Sequence, residues 1–239
     1  MKNLAILGST GSIGQNTLRV AECFPDRFRV YGLTAGGNLE LLAGQIARFH
    51  PQVVSIKEEA NRQALRRHLL DWGVAAPELL SGTAGMVAVA TDPEVHIVVS
   101  ATVGVAGLQA TYEAVRLGKR IALANKEVLV AAGSLVTAAA AASGAEILPV
   151  DSEHNALHQC LRGGRREEVR RLILTASGGP FLNTPQEELE RVTAEQALRH
   201  PTWRMGNRVT IDSATLMNKG FEVIEARWLF GFRPEQVHV

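Results

Sequence analysis

The sequence predicts an α/β protein: a doubly wound parallel sheet over residues 1–150, followed by a smaller α/β (α+β) portion over residues 151–239. Three observations carry that prediction. Short β-rich runs alternate with longer helical patterns through the first 150 residues, the rhythm of parallel strands joined by crossover helices. Residues 95–112 and 128–145 contain no Asp, Glu, Lys or Arg, yet Gly, Ser and Thr interrupt both and the second is mostly Ala. They read as segments buried between layers rather than as spans of ~20 strongly apolar residues. Finally, 239 residues with 46% hydrophobic and 21% charged side chains form an ordinary folded chain. At ~150 residues per domain that length allows one large domain or two modest ones.

In chain order, strands are expected at Leu4–Leu7, Phe28–Leu33, Val53–Ile56, Ile97–Ser100, Ile121–Ala124 and Glu146–Val150. Helices are expected near 12–23, 39–48, 58–71, 106–117 and 126–142. The texture changes around Val150. A charged stretch, Arg162–Arg171, reads as an exposed connection into a strand at Arg171–Thr175. A Gly-Gly-Pro turn, a short acidic helix near 186–190 and a loop from His200 to Arg208 come next. A longer helix is expected from Ser213 to Phe230, and a new strand begins at Val237-His238-Val239.

Lys plus Arg total 25 against 24 for Asp plus Glu, a formal net charge of +1. That balance gives no general attraction to nucleic acid or to an anionic membrane. Cys23 and Cys160 are too few for a disulfide framework and too far apart for a zinc ribbon, so a reduced, cytoplasmic setting is expected. Met1-Lys2 precedes a four-residue apolar run, shorter than the ~7–15 residues of a signal-peptide core.

Gly8-Ser9-Thr10-Gly11-Ser12-Ile13-Gly14 joins the first strand to the first helix. Glycines at that spacing let the backbone turn sharply and approach a pyrophosphate, which the amides of the following helix N-terminus stabilise. A ligand-free strand-to-helix turn is the alternative account, but the place of these residues after a strand, at the start of a βαβ series, favours dinucleotide binding. After the second strand, Thr34-Ala35-Gly36-Gly37-Asn38 lacks the acid that would grip a ribose 2′-hydroxyl, which favours NADP over NAD. Asn125-Lys126-Glu127 follows the expected strand Ile121–Ala124, at the sheet edge where α/β ligands collect.

Side chains two apart in an extended segment share a side, so Asp151 and Glu153 could meet one hard cation. Taken alone, Asp151-Ser152-Glu153 is more simply an ordinary capped helix start. His154 and His158 lack the rest of a zinc motif and read as structural. In the last helix Met217, Phe221, Ile224 and Trp228 form one apolar stripe, with Asn218, Lys219 and Glu222 roughly opposite. Glu222 could complete a metal set with Asp151 and Glu153 while Lys219 and Asn218 take an anion; a surface Lys219–Glu222 ion pair is the rival account. Thr175-Ala176-Ser177-Gly178-Gly179-Pro180 is a second candidate anion nest.

Six motifs together resemble 1-deoxy-D-xylulose 5-phosphate reductoisomerase: Gly8–Gly14, Leu123–Glu127, Val150–Ala156, Ala176–Phe181, His200–Gly206, and Ile211–Gly220 with Glu222. The resemblance covers this whole chain but not the whole length of the family, so the central domain is expected to be incomplete at its C-terminal side. It implies a Rossmann-like NADP-binding domain over 1–150 and a catalytic domain over 151–239. Thr10, Gly11, Ser12 and Ile13 would hold the NADPH pyrophosphate region, Gly36, Gly37 and Asn38 the adenosine phosphate, and Asn125, Glu127 and Gly206 would contact the cofactor further along. Asp151, Glu153 and Glu222 would bind Mg²⁺ or Mn²⁺. Lys126, Ser152 and Glu153 would hold the reacting ketol end of a sugar phosphate. Ser177, His200, Ser213, Asn218 and Lys219 would hold its phosphate, with Trp203 closing as a lid.

The activity implied is rearrangement and reduction of 1-deoxy-D-xylulose 5-phosphate to 2-C-methyl-D-erythritol 4-phosphate in isoprenoid synthesis, with a homodimer in the full-length family. Gly37 stands where relatives often carry Lys, and Asn207 and Arg208 replace a common Arg and Lys. Glu225 lies outside the matched pattern. Two rival readings remain: a metal-independent dehydrogenase of the semialdehyde or homoserine type, and a nucleotide-binding module without turnover.

Overall fold

The computed structural model describes residues 1–202 and 206–239. It forms two compact units, Met1–Asp151 and Ser152–Val239.

The first unit alternates strands and helices: β1 (Lys2–Leu7), α1 (Ser12–Cys23), β2 (Phe28–Ala35), α2 (Leu39–Phe49), β3 (Val53–Ile56), α3 (Arg62–Asp71) and β4 (Glu78–Ser81), then α4 (Gly82–Thr91), β5 (Ile97–Ser100), α5 (Leu108–Arg116), β6 (Arg120–Leu123), α6 (Glu127–Ser143) and β7 (Ile147–Pro149). All seven strands run parallel in the order β4-β3-β2-β1-β5-β6-β7. The chain winds outward from β1 to β4, crosses back through α4, and winds outward again from β5 to β7. That reversal between β1 and β5 is a topological switch point, where the strand ends open a crevice.

The core explains the near-continuous apolar strands. Ala5, Ile6 and Leu7 are all fully buried, as are Val54 and Val98, because both faces of the sheet are covered. One face packs Leu18 and Ala21 of α1, Leu42 and Ile46 of α2, and Leu65 and Leu69 of α3 against Leu4, Ile6, Leu33 and Val54. Pro149 sits on edge strand β7, a position where a missing N–H is tolerated.

β4 and α4 were not expected. Glu-Leu-Leu-Ser has no β-branched residue, and Gly82-Thr-Ala-Gly85 reads as a loop. The helix instead uses its small residues for close packing. A Cβ on Gly85 would stand 2.5 Å from Ser55 Oγ, and one on Gly32 of β2 would stand 2.7 Å from Val89 Cγ1.

The second unit contains α7 (Ser152–Leu161), β8 (Leu172–Ile173), α8 (Ala194–Ala197), α9 (Asn207–Ala214), α10 (Met217–Phe230) and β9 (Val237–His238). β8 and β9 pair in parallel, and Leu157, Leu172, Leu174, Ala226, Phe230, Phe232 and Val237 form the core. Three expectations are corrected. The expected strand Arg171–Thr175 contracts to β8. α9 begins at Asn207, within the loop expected from His200 to Arg208. The single helix from Ser213 is two helices, because Leu216 takes a left-handed φ of 58° between them.

No described helix is long and apolar enough to cross a membrane.

Candidate functional site

In the first unit the candidate residues gather at the C-terminal edge of the sheet. Gly8 has φ of +91° and donates its N–H to Thr34 Oγ1 at 3.0 Å, while the Ser9 N–H reaches the Thr34 carbonyl at 2.8 Å. A Cβ on Gly14 would lie 2.3 Å from the Gly8 carbonyl oxygen, so α1 can approach the turn this closely only without a side chain there. Gly11 caps α1, whose first turn carries no acid, leaving the exposed amide end electropositive. Thr10, Ser12 and Ile13 lie on this turn. At the end of β2, Gly36 and Gly37 face open space, and Asn38 caps α2 by accepting the Leu41 N–H at 3.1 Å.

Asn125 is 2% exposed, and its amide has a structural task. It donates to the carbonyls of Thr102 and Gly104, each at 2.7 Å, and accepts the Val128 N–H at 3.2 Å. Glu127 accepts the Gly104 N–H at 3.3 Å. Together they fix the loop after β5 beside the switch point. Lys126 Nζ lies 2.5 Å from Asp151 Oδ2, an ion pair with both side chains largely buried.

The second unit holds a denser charge cluster. Lys219 Nζ donates to Glu222 Oε2 at 2.5 Å, to the Thr175 carbonyl at 2.5 Å and to Glu153 Oε1 at 3.1 Å. Asn218 donates to Glu222 Oε1 at 2.6 Å, and Ser152 to Glu153 Oε2 at 2.5 Å. Burial opposes ionisation of Glu153, but the hydrogen bonds from Ser152 and Lys219 and the nearby ammonium charge outweigh it and hold its carboxyl below the usual range.

The face of α10 turned inward is therefore the polar one: Lys219, Glu222 and Glu225 are buried with Ala226 and Phe230, whereas Met217 and Ile224 of the apolar stripe are exposed. Periodicity separates the two faces, and the polar one is buried because its charges have built-in partners. This burial also removes the reading of Lys219–Glu222 as a surface pair.

Beneath this cluster, His154 and Glu225 are both 0% exposed. His154 Nε2 lies 2.8 Å from the Glu222 carbonyl and Nδ1 lies 3.6 Å from Glu225 Oε2. Glu225 carries no motif signal, and its contact with His154 was not legible. Thr175 enters the site through its carbonyl, which no sequence signal announces.

The segment that holds the candidate anion nest is sharply bent. Gly178 and Gly179 take left-handed φ values of 82° and 71°, and a Cβ on Gly179 would stand 2.5 Å from the Ser213 carbonyl oxygen. Ser177 Oγ is 3.0 Å from His200 Nε2 and accepts the Gly179 N–H at 3.3 Å. The Thr202 N–H donates to His200 Nδ1 at 3.2 Å, so Nε2 is the nitrogen able to donate to Ser177 in the neutral ring. Gly206 caps α9. Trp203, expected as a lid, lies outside the described residues.

The residues suit the groups the resemblance implies. Glu153 and Glu222 each offer a carboxylate oxygen within 4.8 Å of the other, a hard oxygen donor pair fitting Mg²⁺ or Mn²⁺. Gly8 and Gly14 let the turn, helix α1 and the end of β5 pack without side chains between them, the tight strand-to-helix turn that suits a dinucleotide pyrophosphate.

Comparison with known proteins agrees with this geometry. Residues 4–133 match the family model for 1-deoxy-D-xylulose 5-phosphate reductoisomerase, and residues 147–230 the model for that enzyme's C-terminal domain. The reductoisomerase of Solibacter usitatus is 61% identical over the whole chain, and that of an Anaeromyxobacter strain is 56% identical. The chain spans 61% and 60% of their respective lengths. Among solved structures, a DOX-P reductoisomerase in complex with NADPH, fosmidomycin and magnesium superposes over all of this chain and 60% of its own, with TM-score 0.92 at 41% identity. The Zymomonas mobilis enzyme in complex with NADPH superposes over 99% of this chain and 60% of its own, with TM-score 0.89 at 42% identity. On both halves of the chain, then, motif, geometry and likeness converge, and it belongs to the 1-deoxy-D-xylulose 5-phosphate reductoisomerase family.

Proposed function

We propose that this chain carries the NADPH-binding and metal-binding parts of a reductoisomerase acting on 1-deoxy-D-xylulose 5-phosphate to give 2-C-methyl-D-erythritol 4-phosphate. The observation that carries this reading is the inward-facing polar side of α10, where Glu222 and Glu153 share one buried cation. A fold gains little from holding a buried carboxylate and a half-buried one on the same ammonium, so such an arrangement points to chemistry. The magnesium and NADPH in the structural relatives support it.

Asp151, Glu153 and Glu222 would hold Mg²⁺ or Mn²⁺. Asp151 and Glu153 are two positions apart, so their Cα atoms are within about 7 Å by connectivity alone. A divalent ion at these oxygens supplies charge stabilisation to the ketol end of the substrate, and NADPH supplies hydride. Lys126 and Ser152 would orient that end. Ser177 and His200 would bind the phosphate, with the Gly178-Gly179 bend fixing Ser213 nearby. Gripping the non-reacting phosphate contributes binding energy that orients the reacting carbons. Thr10 to Ile13 at the α1 terminus would bind the cofactor pyrophosphate. Asn125 and Glu127 would act on the cofactor by fixing the Thr102–Gly104 loop. The protein would work in the cytoplasm.

The test is NADPH oxidation at 340 nm by the purified 239-residue chain with substrate and Mn²⁺, alongside Mn²⁺ binding by paramagnetic resonance. Turnover that requires metal confirms the reading. NADPH and Mn²⁺ binding without turnover reduces the chain to a binding module, and metal-independent hydride transfer selects the dehydrogenase reading.

A further inference from the structure

Lys219 has no donor left to offer a ligand. An ammonium carries three N–H groups, and Glu153, Thr175 and Glu222 accept one each in a side-chain environment only 9% exposed. Asn218 is directed to the same place, since its amide donates to the other oxygen of Glu222. The two residues on α10 assigned above to the substrate phosphate are thus both engaged by a residue assigned to the metal.

We propose that the Lys219 ammonium is an exchangeable internal cation: a divalent ion at Glu153 and Glu222 displaces it, and the displaced Lys219, with Asn218, becomes the phosphate ligand. This rests on the metal-site reading above and adds an order of events to it. The carboxylate oxygens that hold Nζ at 2.5 and 3.1 Å are the atoms a hard cation would take, and the dication and the ammonium compete for them. Displacement leaves Lys219 with the Thr175 carbonyl and two N–H groups to direct elsewhere. Without the dication, phosphate must break a charge-assisted hydrogen bond before it can gain one. Metal and phosphate therefore bind with positive coupling, and linkage makes the coupling equal in both directions.

The experiment uses Mn²⁺ and propylphosphonate, a phosphate-end probe with no chelating group. Calorimetry gives propylphosphonate affinity with and without saturating Mn²⁺, and paramagnetic resonance gives Mn²⁺ affinity, in the parent and in Lys219→Met. In the parent, Mn²⁺ should tighten propylphosphonate about fivefold or more. In Lys219→Met, Mn²⁺ should bind about tenfold more tightly than in the parent, because its competitor is gone, and the coupling should fall to the smaller part that Asn218 carries. Equal Mn²⁺ affinities in the two proteins overturn the exchange while leaving the metal site intact. Coupling of equal size in both overturns it too, since direct contact between the ligands would then suffice. Failure of both proteins to bind Mn²⁺ overturns the metal site itself and the exchange with it. If the Met variant loses NADPH binding through misfolding, Lys219→Gln, which keeps a donor for Thr175 without the charge, is judged by the same outcomes.

Discussion

Replacing Gly14 with Ala tests whether the glycine turn is built for close backbone approach. A Cβ at position 14 would meet the Gly8 carbonyl oxygen at 2.3 Å, Ser9 Cα at 2.5 Å and Ser9 C at 2.6 Å. All three are backbone atoms, so no flexible side chain can swing away. Gly8 cannot retreat either, since its own pro-Cβ direction ends 2.6 Å from the Ala101 carbonyl oxygen on the neighbouring strand end. Helix α1 must move outward by about 0.7 Å or the turn must distort. Overpacking of this kind costs ~1–3 kcal/mol, and three backbone contacts place Gly14 at the upper end. Against that, Ala in a helix gains up to ~1 kcal/mol over Gly. The net loss of ~2 kcal/mol corresponds to a fall in Tm of roughly 4–8 °C for a chain of this size. Gly11 is the contrast: its φ is −73°, open to any residue, and an added Cβ meets only the Gly8 oxygen at 3.3 Å. Gly11→Ala should stay within ~1 kcal/mol of the parent, while Gly11→Val, with a branched side chain at the cap of α1, should weaken NADPH binding. Scanning calorimetry of the three variants, with NADPH titrated by fluorescence, is the assay. A Gly14→Ala protein melting within 1 °C of the parent would refute the steric argument.

Calorimetric titration should show NADPH binding more tightly than NADH, because no acid stands between Thr34 and Asn38; equal affinities would count against the NADP reading. Glu225→Gln should destabilise the second unit by roughly 2 kcal/mol in urea melts, since the fully buried His154 loses the carboxyl group 3.6 Å from its Nδ1. Glu222→Gln should weaken Mn²⁺ binding strongly and leave NADPH affinity within a few-fold of the parent. Lys119 donates to the Asp92 and Val95 carbonyls, each at 2.6 Å, and burial pushes its ammonium below the ordinary lysine value despite the opposing Asp92 charge. The folded state thus releases this proton before the unfolded chain does. The parent should gain stability relative to Lys119→Met as pH rises from that lowered value to ~10.4, followed by pH-dependent urea melts.

The sheet was legible because six of its strands are compact apolar runs separated by amphipathic helices, and two faces of cover make such runs conspicuous. β4 and α4 escaped notice because small residues advertise flexibility in a sequence while permitting contact in a fold. The site was legible wherever its residues stood in long motifs, as with Asp151 to Glu153 and Asn218 to Glu222. The orientation of α10 was not, since hydrophobic periodicity presumes that the polar face meets water. Leu216 is a further limit: a left-handed leucine carries no signature of its own, so the break between α9 and α10 was invisible.

The approach of α4 to the sheet makes absent atoms the specification of that layer. At Gly32 and Gly85 the spacing is set by hydrogen where every other residue has carbon, and Val89 and Ser55 fill the room left over. A substitution that looks conservative, Gly32→Ala, therefore collides with Val89, while trimming Val89 to Ala would open the space it needs. Change at these positions has to arrive in pairs, and a route through either single alanine crosses a less stable protein than one of its two endpoints. The blandest stretch of the first unit is in this sense among its least free to drift.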